Sequence, residues 1–233
     1  MNIAIIPARG KSERIRNKNI INFFGKPIIY WPIQNAKKTN LFKKIIVSTD
    51  NKKIAKISKL YGAEVPFVRP SNISNNKTGI LKVIKHCIRF LEKKKIKFKY
   101  VCCIFSTAPL LNKKILQSAY KKLLKGKYDF VFGAIKIQNH LLRSFYLNNK
   151  KIEMINSKFY SVNSQDLPNA FVDSGQFYWG TKKAWKSKNK IFGNNSSFLE
   201  LNEKKFTDIN EIKDLRKLKR IAKNYIKRGF RKP

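Results

Sequence analysis

Short apolar runs alternate along this chain with longer stretches in which apolar residues recur every three or four positions. The short runs predict strands at residues 3–6, 44–48, 100–105 and 130–135. The longer stretches predict helices at residues 27–38, 51–61, 79–93 and 113–124. Strands and helices that alternate in this way form parallel βαβ units. We therefore predict an α/β fold in which helices cover both faces of a mostly parallel sheet.

The chain has 233 residues, of which 42% are apolar, and this suits a single domain spanning residues 1–233. The alternation fails over residues 136–172, where a polar segment studded with aromatic residues takes over. We predict that this segment is an insertion within the domain, either an arm that packs against another subunit or a lid over a pocket. A strand-like run at 176–179 and a helix at 211–226 follow, and we expect the helix to pack on the sheet edge.

The first predicted strand opens into a basic loop that carries glycine and serine. Backbone N–H groups in such a loop can point at an anion, while cationic side chains offset its charge. The residues concerned are Gly10, Ser12, Arg9, Arg14, Arg16 and Lys18. The loop is not a Walker A motif, because Ile5 stands where that motif requires its first glycine. The sequence predicts a phosphate site of another kind.

Polar residues at the strand ends and two aromatic residues near the last strand have ordinary structural interpretations. Thr49 and Asp50 are expected to cap the helix at 51–61, and Asn112 is expected to cap the helix at 113–124. Tyr178 and Trp179 occupy an apolar strand-like run, so at least one of them is expected to face the core.

The net charge of +39 raises the question of nucleic-acid binding. Lysines are spread over nearly every predicted helix and loop, which fits a compositional bias better than a dedicated basic face. We predict salt-sensitive nonspecific adsorption but no specific nucleic-acid partner.

The apolar runs and the cysteines indicate in which cellular compartment the protein is expected. No apolar run approaches the roughly 18 residues that a membrane span needs, so we predict no membrane partner and a cytoplasmic location. Cys87, Cys102 and Cys103 are expected to be reduced core residues, since no CxxC pair occurs. His86 and His140 lack a second ligand at metal-binding spacing.

Several motifs in order resemble the cytidylyltransferases that activate nonulosonic acids as CMP-sugars. They are Ile6-Pro7-Ala8-Arg9-Gly10, Lys18-Asn19, Val47-Ser48-Thr49-Asp50, Val68-Arg69-Pro70 and Thr107-Ala108-Pro109-Leu110. Three further segments are most similar to the pseudaminic acid branch of that family: 164–168, 173–180 and 191–193. The resemblance runs nearly end to end and implies a Rossmann-like nucleotide-diphospho-sugar transferase fold.

The activity that the resemblance implies is transfer of CMP from CTP to the anomeric hydroxyl of a nine-carbon 2-keto acid sugar, with release of pyrophosphate. Pseudaminic acid is the favoured sugar, and sialic, legionaminic and octulosonic acids are the alternatives. The resemblance also implies a homodimer formed through the insertion, and the lid remains the other interpretation of that segment. A different class of function is a non-catalytic nucleotide- or polyanion-binding protein descended from the same fold.

The resemblance carries site residues over to this chain. The resemblance implies that Arg9 and Lys18 are the catalytic cations. The nucleotide would contact Ala8, Arg9, Gly10, Ser12, Lys18, Asn19 and Arg69. The sugar would contact Gln165, Asp173, Gln176 and Tyr178, although residues 173–175 could equally form a plain turn. Mg²⁺ would be bound near Asp208 and Asn210, two residues that could instead cap the helix that follows.

The chain departs from the family pattern around the same site. Lys11 stands where the family usually has a second glycine, and a positive φ there would cost about 1 kcal/mol. Glu13 replaces a usual lysine, and Asn163 replaces a usual arginine. An acidic and hydroxyl-rich stretch becomes 75–80, with the sequence Asn-Asn-Lys-Thr-Gly-Ile. Asn210 replaces an aspartate, so we expect weaker metal binding or reliance on CTP to bring the metal.

Overall fold

A computed structural model describes residues 1–137, 139–187, 190–203, 206 and 209–227. The strands are β1 Asn2–Pro7, β2 Asn22–Phe23, β3 Lys26–Pro27, β4 Phe42–Ser48, β5 Tyr100–Ile104, β6 Phe130–Ile137, β7 Phe145–Asn148, β8 Lys151–Met154, β9 Ala170–Thr181 and β10 Ser196–Glu200. The helices are α1 Tyr30–Lys38, α2 Lys52–Leu60, α3 Ile80–Lys93, α4 Lys113–Lys125, α5 Lys182–Lys186 and α6 Ile212–Lys227.

The main sheet has six strands in the order β10-β6-β9-β5-β1-β4. Strands β4 and β5 flank β1 in parallel, and β10 is parallel to β6. Strand β9 lies antiparallel between β5 and β6. The predicted α/β fold with a mostly parallel sheet is thus confirmed. The edge strand β10 was not predicted, because its sequence mixes serine, glutamate and two apolar residues without a buried run.

Helices cover both faces of the sheet, as predicted. Successive side chains of β1 point to opposite faces, so Ala4 and Ile6 join one core while Ile3 and Ile5 join the other. The first core contains buried residues of α1, α2 and α4 together with Trp179. The second contains buried residues of α3 and α5 together with Tyr178. Both aromatic residues are therefore buried, which confirms that at least one faces the core.

Helix α6 does not pack on the sheet edge, contrary to expectation. Its buried residues Leu215, Leu218 and Ala222 form a third cluster with Ile15 of the loop after β1 and with Phe23 of β2. Ile15 is an apolar anchor within an otherwise basic loop and is 3% exposed. The C-terminal helix therefore supports the predicted phosphate loop.

The cap of α2 also differs from the prediction. The Asn51 side chain accepts the Ile54 N–H at 3.0 Å, so Asn51 is the N-cap residue. The Thr49 hydroxyl accepts the Asn51 N–H at 3.1 Å, and Asp50 is directed elsewhere. For α4 the prediction is confirmed, because the Asn112 side chain accepts the Ile115 N–H at 3.1 Å.

The three cysteines are buried and unpaired, as expected for core residues. Burial raises the pKa of the Cys87 thiol to about 12, which keeps the sulfur protonated. In the part of the chain that the structure describes, no helix combines the length and apolar character of a membrane span.

The segment predicted as an insertion leaves the sheet and returns to it. Strand β6 runs to Ile137, and β9 begins at Ala170 opposite it, so both strands extend slightly into the predicted range 136–172. Between them lies the hairpin β7–β8, which forms a separate two-stranded sheet. The hairpin exposes large apolar side chains: Phe145, Tyr146, Leu147 and Ile152 are 58–73% exposed.

Candidate active site

A cleft of about 400 Å³ lies where β1, β4 and β5 end. Because the three strands are parallel, the residues that follow them meet at the same edge of the sheet. One part of its lining is the loop after β1, with Arg9, Ser12, Arg14 and Lys18. Another is the segment at 73–83, which adds apolar Ile73, Ile80 and Val83 and polar Asn75, Asn76 and Thr78. Such a mixture of cations, amides and apolar surface suits a phosphorylated ligand that also carries an uncharged ring.

A buried amide ties the basic loop to the sheet. Asn19 is 7% exposed, and its Nδ2 donates to the Arg9 carbonyl at 2.7 Å. Its Oδ1 accepts the Ser106 hydroxyl at 2.6 Å. Ser106 follows β5, so the loop after β1 is joined to the end of the neighbouring strand. Asn19 also lines the cleft, where it was predicted to contact the nucleotide.

The two predicted catalytic cations both line the cleft but are held differently. Lys18 Nζ donates to the Ile209 carbonyl, which draws the segment before α6 to the loop. No described residue forms a hydrogen bond or ion pair with the Arg9 guanidinium. Arg9 can therefore meet an anion without first breaking a hydrogen bond or ion pair to the part of the chain that the structure describes.

Arg69 lies at the base of the cleft and is 4% exposed. Its Nε donates to Ser74 Oγ at 3.1 Å, and its Nη2 lies 3.6 Å from Asp50 Oδ1. Burial lowers the pKa of the guanidinium, and the Asp50 carboxylate acts in the opposite direction. Sequence reasoning had given Asp50 only a capping role. Its position just after β4 suits a helix cap and a contact with the neighbouring loop equally, so the sequence carried no signal that separates the two roles.

The remaining predicted loop residues occupy distinct positions. Ala8 is buried, and its N–H donates to the Ser48 carbonyl at 2.9 Å. The Gly10 N–H donates to Asp50 Oδ1 at 2.7 Å, so this amide points at the carboxylate. Ser12 lines the cleft. Nucleotide contact by these residues stays a prediction.

The departures at Lys11 and Glu13 have structural outcomes. Positive φ in this loop falls on Asn17, at 54°, and not on Lys11, so the strain expected at Lys11 is absent. Asparagine tolerates that backbone region better than most residues. Glu13 lines the cleft and accepts a hydrogen bond from Asn76 Nδ2 at 2.7 Å. This contact joins the basic loop to the 73–83 segment.

Three of the four predicted sugar residues lie together on β9. The Tyr178 hydroxyl donates to Asp173, and Asp173 Oδ1 also accepts the Gly175 N–H at 3.2 Å. Gln176 is 2% exposed, and its Nε2 donates to the Ser174 carbonyl at 2.9 Å. Gln165 is exposed on a short 3-10 helix of the inserted segment, and no hydrogen bond joins it to the other three in the described structure.

Phe105 connects this group to the cleft. Its ring lines the cleft and lies 5.3 Å from the Tyr178 ring. Its N–H donates to the Gln176 carbonyl at 3.0 Å. The residues on β9 therefore adjoin the cleft through one aromatic side chain, and sequence reasoning did not identify Phe105.

Of the two predicted metal ligands, Asn210 lines the cleft and Asp208 lies outside the described residues. The backbone N–H groups of Asn210 and Glu211 donate to Asp214 Oδ2 at 2.8 and 2.7 Å. Asp214 thus accepts hydrogen bonds from two N–H groups just before α6, a role expected of a carboxylate in the first turn.

Comparison with known proteins shows which proteins this chain is similar to. The model of the cytidylyltransferase family matches residues 3–226. A pseudaminic acid cytidylyltransferase of Campylobacter jejuni is 41% identical over 215 residues, which cover 92% of this chain and 93% of that protein. A Helicobacter pylori protein with pseudaminic acid cytidylyltransferase and UDP-2,4-diacetamido-2,4,6-trideoxy-beta-L-altropyranose hydrolase in its name is 34% identical over 92% of this chain and 41% of its own length. The solved CMP:2-keto-3-deoxy-manno-octonic acid synthetase, complexed with CTP, shares the fold, with a TM-score of 0.73 at 12% identity over 96% of this chain and 99% of that one.

Proposed function

The chain belongs to the cytidylyltransferase family, and we therefore propose that it transfers CMP from CTP to pseudaminic acid and releases pyrophosphate. The observation that carries the proposal is the cleft itself. Arg9, Arg14, Lys18 and Arg69 converge where three parallel strands end, beside an apolar wall that suits a base and ribose. The relatives at 41% and 34% identity favour pseudaminic acid over the related sugars.

The reaction forms one P–O bond, breaks another, and releases the proton of the attacking sugar hydroxyl to water. The anomeric hydroxyl oxygen of the sugar attacks the α-phosphorus of CTP, and the bond from that phosphorus to the bridging oxygen breaks. Negative charge then grows on the transferring oxygens and on pyrophosphate. Arg9 and Lys18, which both line the cleft, would stabilise this charge, and the contacts that hold the loop would position them before the reaction.

The sugar would bind beside Phe105, against the polar groups of β9. The Asp173 carboxylate can accept hydrogen bonds from sugar hydroxyl or acetamido N–H groups, and its contact with Tyr178 fixes its orientation. Gln176, which is buried beside them, and Gln165, which lies on the inserted segment, would supply amide groups. A few such contacts are enough to separate one nonulosonic acid from another.

Mg²⁺ is proposed as the cofactor. The described lining of the cleft offers one carboxylate, Glu13, and the amide oxygen of Asn210. Magnesium at nucleotide sites takes only one or two protein oxygens and fills its shell with phosphate oxygens and water. The donor set therefore fits an ion that arrives with CTP. When bound, Mg²⁺ would neutralise negative charge on the phosphates.

Asn210→Asp is expected to raise both divalent-ion affinity and turnover, because a carboxylate binds Mg²⁺ more strongly than an amide does. The measurements are the Mg²⁺ concentration for half-maximal rate and Mn²⁺ binding followed by electron paramagnetic resonance. Asn202→Asp adds the same charge at an exposed position outside the cleft lining and serves as the control. Unchanged ion binding in Asn210→Asp would remove Asn210 from the proposed metal site.

We propose further that the inserted segment is a dimerisation arm. The neighbouring residues Tyr146 and Leu147 point to opposite faces of the β7–β8 hairpin, yet they are 60% and 73% exposed. A hairpin that presents apolar side chains on both faces is typical of an interaction site, and a second copy of the chain is the partner that the family resemblance favours. A lid is the alternative.

Leu147→Asp combined with Ile152→Asp is expected to convert the dimer to a monomer. The two residues are cross-strand neighbours, so the variant places adjacent charges in the proposed interface. Sedimentation velocity gives the mass in solution. Leu60→Asp changes an equally exposed leucine on α2, at 76% exposure, and should leave the mass unchanged. A dimer that persists in the double variant would contradict the arm.

The cytoplasm is the proposed compartment. The three buried thiols are unpaired, which fits a reducing environment.

Nucleotide selectivity separates this function from a non-catalytic polyanion binder. The net charge of +39 predicts some adsorption of any polyanion, and added salt weakens such adsorption steeply. We expect saturable CTP binding that persists at 0.3 M salt and is not displaced by excess ATP or GTP. Equal, salt-labile binding of all three nucleotides would instead support the polyanion binder.

A further inference from the structure

One carboxylate oxygen joins two separate parts of the cleft. Asp50 follows β4, and its Oδ1 accepts the Gly10 N–H at 2.7 Å. The same oxygen lies 3.6 Å from Arg69 Nη2. Gly10 belongs to the basic loop after β1, and Arg69 belongs to the segment that leads into the 73–83 wall. Asp50 therefore links the backbone of the basic loop directly to the cation at the base of the cleft.

Arg69 depends on this link. Its side chain is 3% exposed, and a buried guanidinium is costly unless a partner of opposite charge is present. Asp50 supplies that charge, while Ser74 and the backbone fix the rest of the residue: the Arg69 N–H donates to the Thr49 carbonyl at 2.8 Å. Asp50 at Nη2 and Ser74 at Nε together set the orientation of the Arg69 guanidinium in the cleft, and Asp50 is the charged partner of the two.

Gly10 packs closely against Asn51, the residue that follows Asp50. A Cβ atom on Gly10 would lie 2.8 Å from Asn51 Cβ, closer than real Cβ contacts allow. The loop therefore passes close to the start of α2, and the hydrogen bond to Asp50 holds it there. The Arg9 carbonyl and the Gly10 N–H belong to one peptide group, so the contacts with Asn19 and Asp50 together fix the peptide plane directly after Arg9.

We propose that Asp50 is a positioning residue for the nucleotide, a role that rests on the proposed use of CTP. Its carboxylate orients Arg69 and the backbone at Gly10 without itself contacting the substrate. A carboxylate beside a triphosphate site would ordinarily repel the ligand. Here the Arg69 guanidinium and the Gly10 N–H offset the negative charge of Asp50, so the carboxylate repels the nucleotide little. Removing Asp50 would therefore relieve little repulsion, whereas the Arg69 side chain would lose its orientation.

Two substitutions distinguish the two contacts that Asp50 makes. Asp50→Ala removes both contacts, whereas Asp50→Asn keeps an oxygen acceptor for the Gly10 N–H but loses the charge that faces Arg69. We expect the dissociation constant of CTP to rise about tenfold in Asp50→Asn and further in Asp50→Ala, because contacts to charged groups are the stronger ones. The KM for CTP should follow, while the KM for the sugar stays within about twofold.

Glu64→Gln is the matched control. It removes one negative charge from an exposed ion pair with Lys44 and lies outside the cleft lining. Direct CTP binding is measured by isothermal titration calorimetry, and Tm is measured for each variant. Glu64→Gln should bind CTP as the unsubstituted protein does, which excludes a general effect of net charge.

Two results would overturn the role. In the first, Asp50→Asn binds CTP within twofold of the unsubstituted protein. In the second, both KM values rise equally and Tm falls, which would mean that Asp50 only supports the fold. If Asp50→Ala does not fold, Asp50→Asn alone decides. An unsubstituted protein that fails to bind CTP would instead overturn the proposed function, and the role of Asp50 with it.

Discussion

Arg9→Ala is expected to lower kcat/KM for CMP transfer by about 10²- to 10³-fold, the usual loss when one preorganised charge-stabilising group is removed. The Arg9 guanidinium lines the cleft and has no hydrogen bond or ion pair with any described residue, so its charge is available to the phosphates. For the same reason its removal should leave Tm nearly unchanged. The loss is measured by steady-state kinetics with both substrates.

Two variants control for this result. Arg9→Lys keeps the charge but loses the planar fork of donors, and we expect it to recover part of the activity. Arg89→Ala removes an exposed arginine of α3 outside the cleft lining and should retain full activity. An Arg9→Ala enzyme within threefold of the unsubstituted rate would contradict the assignment of Arg9 to catalysis.

Asn19→Ala is expected to lower the free energy of unfolding by about 2–3 kcal/mol and to reduce activity strongly. The substitution leaves the part-buried Arg9 carbonyl and the buried Ser106 hydroxyl without their amide partner; an unsatisfied buried group costs about 1–3 kcal/mol, and partial access to water keeps the Arg9 cost at the low end. The basic loop then loses its link to the end of β5. Urea denaturation followed by Trp fluorescence measures the stability change.

Ser106→Ala, and the double variant Asn19→Ala with Ser106→Ala, test whether the two side chains act through the same hydrogen-bond chain. Since Asn19 and Ser106 lie in one hydrogen-bond chain, their effects should not add. Asn22→Ala is the control of the same residue type: Asn22 is exposed, and its side chain accepts the Gly25 N–H in a local turn outside the cleft. Additive losses from Asn19→Ala and Ser106→Ala would show that the chain from Ser106 to the Arg9 carbonyl does not act as a unit.

Local periodicity explains which parts of the fold were predictable. The strands at 3–6 and 100–105 are buried on both faces and read as continuous apolar runs, and α3 shows a clear apolar stripe. Strand β10 was not predicted because it lies at the sheet edge, where its residues are partly buried or exposed, and so its sequence lacks a continuous apolar run. The first half of β9 escaped as well, since Phe171 and Val172 are partly exposed and Asp173 reads as a turn residue.

The packing of α6 depended on a distant partner. Its apolar stripe was visible in the sequence, but that stripe does not say which surface it covers. Ile15 and Phe23 supply the surface, and they come from the opposite end of the chain. Only the folded structure shows that the C-terminal helix supports the loop after β1.

The candidate site was predictable as far as the order of residues along the chain. Arg9 and Lys18 lie in the loop after β1, the family resemblance singled out Arg69, and the structure brings all three to one cleft. The role of Asp50 was not predictable, because a carboxylate after a strand can cap a helix or turn toward a neighbouring loop. That choice is decided by Asn51, which takes the cap and leaves Asp50 for Gly10 and Arg69.

Pyrophosphate release from CTP and Mg²⁺ tests the central proposal most directly. The reaction is run with pseudaminic, legionaminic, N-acetylneuraminic and 3-deoxy-octulosonic acids, with Arg9→Ala as the control. We predict release that requires the sugar, is fastest with pseudaminic acid and falls at least a hundredfold in Arg9→Ala. Folded protein that releases no pyrophosphate with any of the four sugars would contradict the assignment of this chain as an active cytidylyltransferase.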